Sequence, residues 1–445
     1  MSARFTVSFR GEMYMDKLKP SRRTVLKSAA LAGAATLGGV TPSTVLGAND
    51  RINMAVIGTG GMGTGHLRSL VNRSESDNIK VVAVSDVFQK RLDNSVDICG
   101  GDGYMDYRKI LDRNDIDAVL IATPDHWHSK ISIDAMDSGK HVYCEKPLTL
   151  TCAQAIEVRN AVRKYNKVLQ VGPQRTSQDR FWMAQQMIRE GKIGQVTWAQ
   201  GSWNRNNRGN SVFGTSSRRD DPVGPHATGE NYIDWDMWLG YKWDLAPRLP
   251  WSPNRFFYFR GYWDYNGGVA TDLLYHFLAP LLVAIAGENG AYPHRVTGNG
   301  GLYANDDGRE VPDVFMMTLD YPDDYTIYLE SVLTNEFYRP CRIYGRYGTM
   351  EFREETNHIK LTGCNAYMDE FTKNFGGYEE VIIPPETERR DMEGNFIDAI
   401  RTGAKLNCNV DLGAATMVAI KMGVEAYRTG KILYWDAEKE EVKDS

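Results

Sequence analysis

Two groups of residues in this chain have the types and spacing to do chemistry together. The first is Gly58-Thr59-Gly60-Gly61-Met62-Gly63, which follows directly on the apolar run Ile52-Asn53-Met54-Ala55-Val56-Ile57. Glycines so spaced let a strand turn tightly, let backbone amides approach a pyrophosphate, and let the next helix pack close. Asp86 ends the following apolar run, where an acid hydrogen-bonds a ribose and repels a 2′-phosphate. The pattern predicts a bound dinucleotide, NAD in preference to NADP, with Arg91 as a nearby cation that softens the preference. The second group is Lys146 with Asp272 and His276. Lys146 follows the run His141-Val142-Tyr143-Cys144, at the strand end where parallel sheets bind ligands. Asp272 and His276 are four apart and share one face of a helix. A base for a hydroxyl proton and a cation for its oxygen are what hydride removal from a secondary alcohol needs. Plainer readings exist. His276, inside Leu273-Leu274-Tyr275-His276-Phe277-Leu278, also reads as a core histidine, and Lys146 as a solvated lysine before a turn proline. The flanking Glu145 and Pro147, and Gly267-Gly268 ahead of Asp272, favour a site.

These residues need a frame. Apolar runs at 52–57, 79–84, 118–122, 141–144 and 168–171 alternate with helical stretches to 70 and at 89–98, 129–138 and 153–165. Continuous apolar strands separated by helices predict a doubly wound parallel sheet. Beyond about 180 the pattern changes to strands at 196–203, 314–321, 325–333, 342–345 and 350–353, with late helices near 391–402 and 412–429. The expected fold is α/β: an N-terminal Rossmann sheet, then an α+β domain with a mostly antiparallel open sheet. The expected divisions are a leader at 1–48, a nucleotide-binding domain at 49–175, and a substrate-binding and oligomerisation domain at 176–445 with a tail at 431–445. A long polar stretch, 204–230, precedes an aromatic belt: Trp235, Trp238, Trp243, Trp251, Phe256, Phe257, Tyr258, Phe259, Tyr262, Trp263 and Tyr265. Aromatic faces stack on sugar rings, although most of such a belt is expected to pack the domain.

Composition narrows the partners. A net charge of −5 gives no electrostatic reason to expect nucleic acid. The six cysteines have no CxxC or zinc spacing, and the His and Asp residues have no metal-ligand spacing. Residues 21–27, Ser-Arg-Arg-Thr-Val-Leu-Lys, precede an uncharged Ala/Gly/Leu stretch at 28–40. That stretch is too short and small-residue-rich for a membrane span and reads as a twin-arginine export signal. The mature chain is expected not to span a membrane, and to pass through the twin-arginine machinery folded, into the periplasm. No comparable nicotinamide nucleotide pool exists there, so the cofactor is expected to be tightly bound.

Glu145-Lys146-Pro147, the group Gly267-Gly268, Asp272 and His276, and Thr123-Pro124-Asp125-His126-Trp127-His128 resemble motifs of the glucose–fructose oxidoreductase and inositol dehydrogenase family, Gfo/Idh/MocA. With the glycine-rich turn they run from 52 to 276 in the family's order, and Lys431-Ile432-Leu433-Tyr434-Trp435-Asp436 resembles the end of exported members. The resemblance implies that His276 is the general base, that Asp272 orients substrate or tunes the histidine, and that Lys146 polarises the reacting oxygen. It implies cofactor contacts from Thr123, Pro124, His128, Glu145 and Lys146, with Gln174 and Arg175 near the nicotinamide. It also implies a carbohydrate substrate and a homo-oligomer, dimer or tetramer. The leading expectation is an exported NAD-dependent oxidoreductase acting on a secondary hydroxyl of a sugar, polyol or glycoside. A close alternative is an NAD-dependent glycosidase working by transient oxidation, elimination and re-reduction. A binding protein without catalysis is the alternative of another class.

Overall fold

A computed structural model of the protein describes residues 6–7, 13–14, 50–206, 222–387 and 389–444. The expected export signal lies outside the described residues, as does 207–221 of the polar stretch. Strands β1 (Ile52–Ile57), β2 (Ile79–Ser85), β3 (Asp102–Tyr104), β4 (Ala118–Ile121), β5 (His141–Cys144) and β6 (Leu169–Val171) form one sheet. Their spatial order is β3-β2-β1-β4-β5-β6, and all pairs are parallel. The apolar runs are continuous because helices α1 (Gly61–Asn72), α2 (Gln89–Cys99), α3 (Asp125–Asp137) and α4 (Cys152–Tyr165) accompany the strands and leave the central ones buried on both faces. Register then sets function: Ile57 pairs with both Ser85 and Ile121, and Ile121 with Cys144. Gly58, Asp86, Ala122 and Glu145 therefore emerge side by side at the carboxyl edge, where strand order reverses and ligands bind.

Two local differences from the sequence reading matter. Helix α3 begins at Asp125, with Pro124 as its N-cap at φ −61°. The segment expected to be a loop through His128 is thus the first turn of a helix. Strand β3, only three residues with a glycine at its centre, carries no periodic signal.

The second sheet holds β7 (Val196–Ser202), β8 (Arg295–Gly301), β9 (Val314–Tyr321), β10 (Tyr325–Val332), β11 (Arg342–Gly345), β12 (Gly348–Phe352), β13 (Ile359–Gly363), β14 (Glu380–Ile383), β15 (Leu433–Asp436) and β16 (Glu441–Asp444). Their order is β16-β15-β8-β9-β10-β7-β11-β12-β13-β14. Thr6–Val7 and Met13–Tyr14 pair beyond β14 at the sheet edge. The β7–β10 pairing and that of Thr6–Val7 with β14 are parallel, the others antiparallel. In β9 buried and part-exposed residues alternate, as expected of a sheet covered on one face. Helix α5 (Asp179–Arg189), the π-helical turn Ala270–Leu274 running into α6 (Tyr275–Ala286), α7 (Met392–Thr402) and α8 (Val410–Thr429) complete the domain. Tyr275 Oη donates to Gly413 O at 2.7 Å, fixing α6 to α8 beneath the site.

Candidate active site

The carboxyl edge of the parallel sheet opens into a cavity of about 840 Å³. One end is built from backbone. Gly58 leaves β1 at φ +84°, a conformation that glycine adopts freely, and a Cβ on it would meet Ala122 C at 2.8 Å. A Cβ on Gly63 would lie 1.8 Å from Gly58 O, so only glycine lets α1 start this close to the strand. Gly58, Gly60, Gly61 and Met62 line the cavity, while Gly63 lies behind it as the packing residue. Asp86 accepts from Thr59 N at 2.7 Å and Phe88 N at 2.9 Å. A carboxylate has room for further donors, so its place at this wall remains suited to ribose hydroxyls. The Arg91 guanidinium approaches the Gly60 side of the turn and stacks on Phe256 at 5.1 Å.

The other end is built from charged side chains. Lys146 Nζ donates to Asp272 Oδ1 at 2.9 Å and to Asp272 O at 2.8 Å. Arg260 Nε donates to the same Oδ1 at 2.9 Å. Burial would raise the Asp272 carboxyl, but Lys146 and Arg260 outweigh it and hold it well below the usual carboxylate range. Asp272 sits in the π-helical turn, a form that frequently marks functional sites. It makes no hydrogen bond to His276, so the four-residue spacing brings both to one wall without pairing them. His276 faces the cavity against Trp203, ring centres 5.2 Å apart, with no hydrogen-bond partner among the described residues. Burial, then the positive charge of Lys146, hold its pKa well below the usual 6.5, so the imidazole is neutral and can accept a proton.

Glu145 lines the cavity between the two ends. It accepts from Gln174 Nε2 at 3.4 Å and pairs with His66 Nε2 at 2.9 Å. His66 Nδ1 in turn lies 2.5 Å from Glu393 Oε1. Burial opposes the charge on His66, but its hydrogen bonds to the two glutamates prevail and raise its pKa to about 10. Glu145 is thereby fixed by a buried imidazolium that no local motif announces.

Thr123, Pro124, Glu145, Lys146 and Gln174 line the cavity. Two residues do not. His128 is buried, with Nδ1 2.7 Å from Pro147 O and Nε2 2.9 Å from Thr123 O, so the ring braces both loops from behind. Helical phase is the reason: α3 begins at Asp125 and turns His128 inward. Arg175 pairs with Glu354 at 3.0 Å and stacks on Phe277 at 4.1 Å, facing a neighbouring cavity of about 520 Å³. The aromatic belt mostly packs the domain, as expected. Trp238, Phe256, Phe257 and Phe259 line the cavity, but Trp235, Trp238, Phe256, Tyr262 and Tyr265 form a buried cluster with Phe88 beside Asp86. The backbone stitches the segment there: Gln89 N donates to Tyr232 O at 3.0 Å and Asp234 N to Val87 O at 2.9 Å. The aromatic beside His276 is Trp203, outside the belt.

Sequence reasoning passed over Asp125, Arg260, Trp203 and His66. Asp125 is buried, accepts from Asn266 Nδ2 at 2.6 Å, and is pushed up to about 7 by burial. Its position in the helical first turn was the available signal. Arg260 and Trp203 had none, because only the fold brings them to Asp272 and His276.

A nucleotide fits the backbone end on this structure's own features. The turn is one a Cβ would obstruct, and buried Thr123 Oγ1, in the cavity wall, has no hydrogen-bond partner among the described residues. Among the described residues no cluster of His, Cys, Asp or Glu could hold a metal, and all six cysteines are free. No helix of the described residues is long and apolar enough to cross a membrane.

Comparison with known proteins places both halves. Residues 52–173 match the family model described as an oxidoreductase family with an NAD-binding Rossmann fold, and residues 223–336 match that family's C-terminal alpha/beta domain. Inositol 2-dehydrogenase of Salmonella typhimurium is 29% identical over 153 residues, 34% of this chain and 45% of that protein. A glycosyl hydrolase family 109 protein of Shewanella pealeana is 28% identical over 185 residues, 39% of this chain and 38% of that protein. The chain thus spans less than half the length of these curated relatives. Among solved structures, levoglucosan dehydrogenase with NADH and levoglucosan superposes with a TM-score of 0.59 at 18% identity, covering 88% of this chain and 99% of that one. Aldose-aldose oxidoreductase from Caulobacter crescentus, complexed with glycerol, gives 0.61 at 18% identity, covering 86% and 99%. These likenesses show the same fold.

Proposed function

This chain belongs to the Gfo/Idh/MocA oxidoreductase family, and we propose that it moves a hydride between a tightly held NAD and a secondary hydroxyl of a sugar, polyol or glycoside. The observation that carries this reading is convergence: Lys146, Asp272 and His276 share one cavity with the glycine-rich turn and Asp86. The turn and α1 amides would hold the pyrophosphate, Asp86 the adenosine ribose, and Thr123 with Glu145 the half nearer the reaction. NAD, when bound, would supply the acceptor and donor of the hydride at the substrate carbon. The neutral ring of His276 accepts the substrate hydroxyl proton. The Lys146 ammonium, oriented by Asp272 and Arg260, donates a hydrogen bond to the same oxygen and stabilises the charge that develops there. The aromatic segment pinned across the β2–α2 connection covers the Asp86 end, which supports slow exchange of the nucleotide.

The test is absorbance near 340 nm on the protein as purified, challenged with sugars, polyols and glycosides. A change that is lost in His276→Ala supports the reading; nucleotide-loaded protein that responds to no member of the panel contradicts it. A second reading is favoured by the glycosyl hydrolase family 109 relatives: the same oxidation followed by elimination and re-reduction, with no net redox change. Nucleotide-dependent release of nitrophenol from a nitrophenyl glycoside separates the two.

We also propose export through the twin-arginine route, on the Arg22-Arg23 motif and the stretch behind it. Association as a dimer or tetramer is supported by part-exposed Trp198, stacked on Tyr344 at 3.9 Å on the sheet face. Fractionation of the native host and light scattering test these two in turn.

A further inference from the structure

The reaction end of the cavity carries more positive than negative charge. Asp272 is shared by two cations, Lys146 and Arg260. Glu145 shares the His66 imidazolium with Glu393. Asp125, raised to about 7, is only partly ionised at neutral pH. Arg205 then adds a cation that no described residue offsets. Its backbone is fixed at the end of the second sheet, Arg205 N donating to Val332 O at 2.8 Å. Its guanidinium lies over the Trp203 ring, 4.8 Å from the centroid, and lines the cavity. Among the described residues the guanidinium has neither an ion pair nor a hydrogen-bond partner.

Trp203 also carries His276, 5.2 Å away on the same indole. Arg205 and the proton-accepting imidazole therefore share one aromatic ring in the wall of one cavity. From this arrangement we propose that the substrate is an anionic sugar, a uronic acid or uronide, whose carboxylate is received by Arg205 while its reacting hydroxyl faces His276 and Lys146. A planar guanidinium matches a planar carboxylate in two parallel hydrogen bonds. A dianionic phosphate suits the site less, because Asp272 and Glu145 lie in the same wall. Arg205 is then a specificity-determining residue, and the inference rests on the hydride-transfer reading above.

The experiment uses the full chain as purified, with its nucleotide. Glucuronate, galacturonate and mannuronate are each titrated calorimetrically against the parent hexose and its 6-phosphate, and absorbance near 340 nm is followed in parallel. At least one uronate should bind roughly tenfold to a hundredfold more tightly than its parent hexose. Arg205→Met should erase that advantage and leave hexose affinity unchanged, and Arg205→Lys should restore part of it. Equal binding of uronate and hexose, tighter binding of a 6-phosphate, or no binding by any of them overturns the proposal. So does an Arg205→Met protein that weakens uronate and hexose alike, since that is a packing effect. A uronate that binds through Arg205 without reducing the cofactor would overturn hydride transfer and leave the carboxylate site standing. Hexoses and uronates that bind and reduce it alike would do the reverse.

Discussion

The two ends of the cavity are made by different means. At the Asp86 end the working groups are backbone amides, set by glycine positions and strand register, and roofed by an aromatic cluster. At the His276 end they are side chains from four separate segments: Lys146 after β5, Trp203 after β7, Arg260, and Asp272 with His276 on the π-helical turn that runs into α6. The first kind of site is rigid and tolerant of its surroundings, since the groups that bind are the chain itself. The second depends on charges holding one another in place, so loss of one member disturbs the rest.

The difference can be broken from either side, and the largest effect is expected at the charged end. Lys146→Ala and His276→Ala should each lower turnover by about a thousandfold or more while the nucleotide stays bound. Single-turnover absorbance with nucleotide counting on the same sample checks both halves of that statement. Gly63→Ala should do the opposite. A methyl 1.8 Å from Gly58 O must push α1 from the strand, with loss of nucleotide and about 3 kcal/mol of stability, read by urea unfolding.

A smaller effect separates the ends by pH. Asp125 has its folded pKa raised from 3.8 to about 7, so the folded state binds the extra proton. The stability this contributes is present in full below about pH 4 and is lost as pH rises toward 7. Asp125→Asn should remove that loss, gaining on the order of 2 kcal/mol relative to wild type between pH 5 and pH 8. A difference that does not vary with pH would show that burial of Asp125 does not govern its charge. The smallest effect is at the roof. Phe256→Ala, which removes a buried ring beside Phe88 and Arg91, should speed nucleotide release roughly tenfold without changing the chemical step. Release measured by dilution into excess labelled NAD checks it.

The same contrast explains what could be read in advance. Gly58, Gly60, Gly63 and Asp86 were legible because one strand, one turn and one register create that end, and local sequence encodes all three. Lys146, Asp272 and His276 were legible because short motifs surround them. Arg260, Trp203 and His66 were not, because each acquires meaning from a partner distant in sequence: Asp272, His276 and the Glu145–Glu393 pair. His128 and Arg175 lie outside the cavity lining. Both stand beside true site residues in sequence, but the phase of α3 and the pairing with Glu354 turn them away from the cavity. In the second sheet, Arg295–Gly301 was missed because its Gly-rich sequence carries no alternation, and it is a strand through pairing with β9 along its length.

The central claim is that one cavity holds a nicotinamide nucleotide beside a proton-accepting histidine and recycles it there. The most direct test is to purify the protein with no cofactor added, denature it, and identify and count any released nucleotide by mass spectrometry. The account predicts NAD at close to one per chain. Protein that is folded and empty would contradict it, and would point instead to exchange of soluble nucleotide past the aromatic roof.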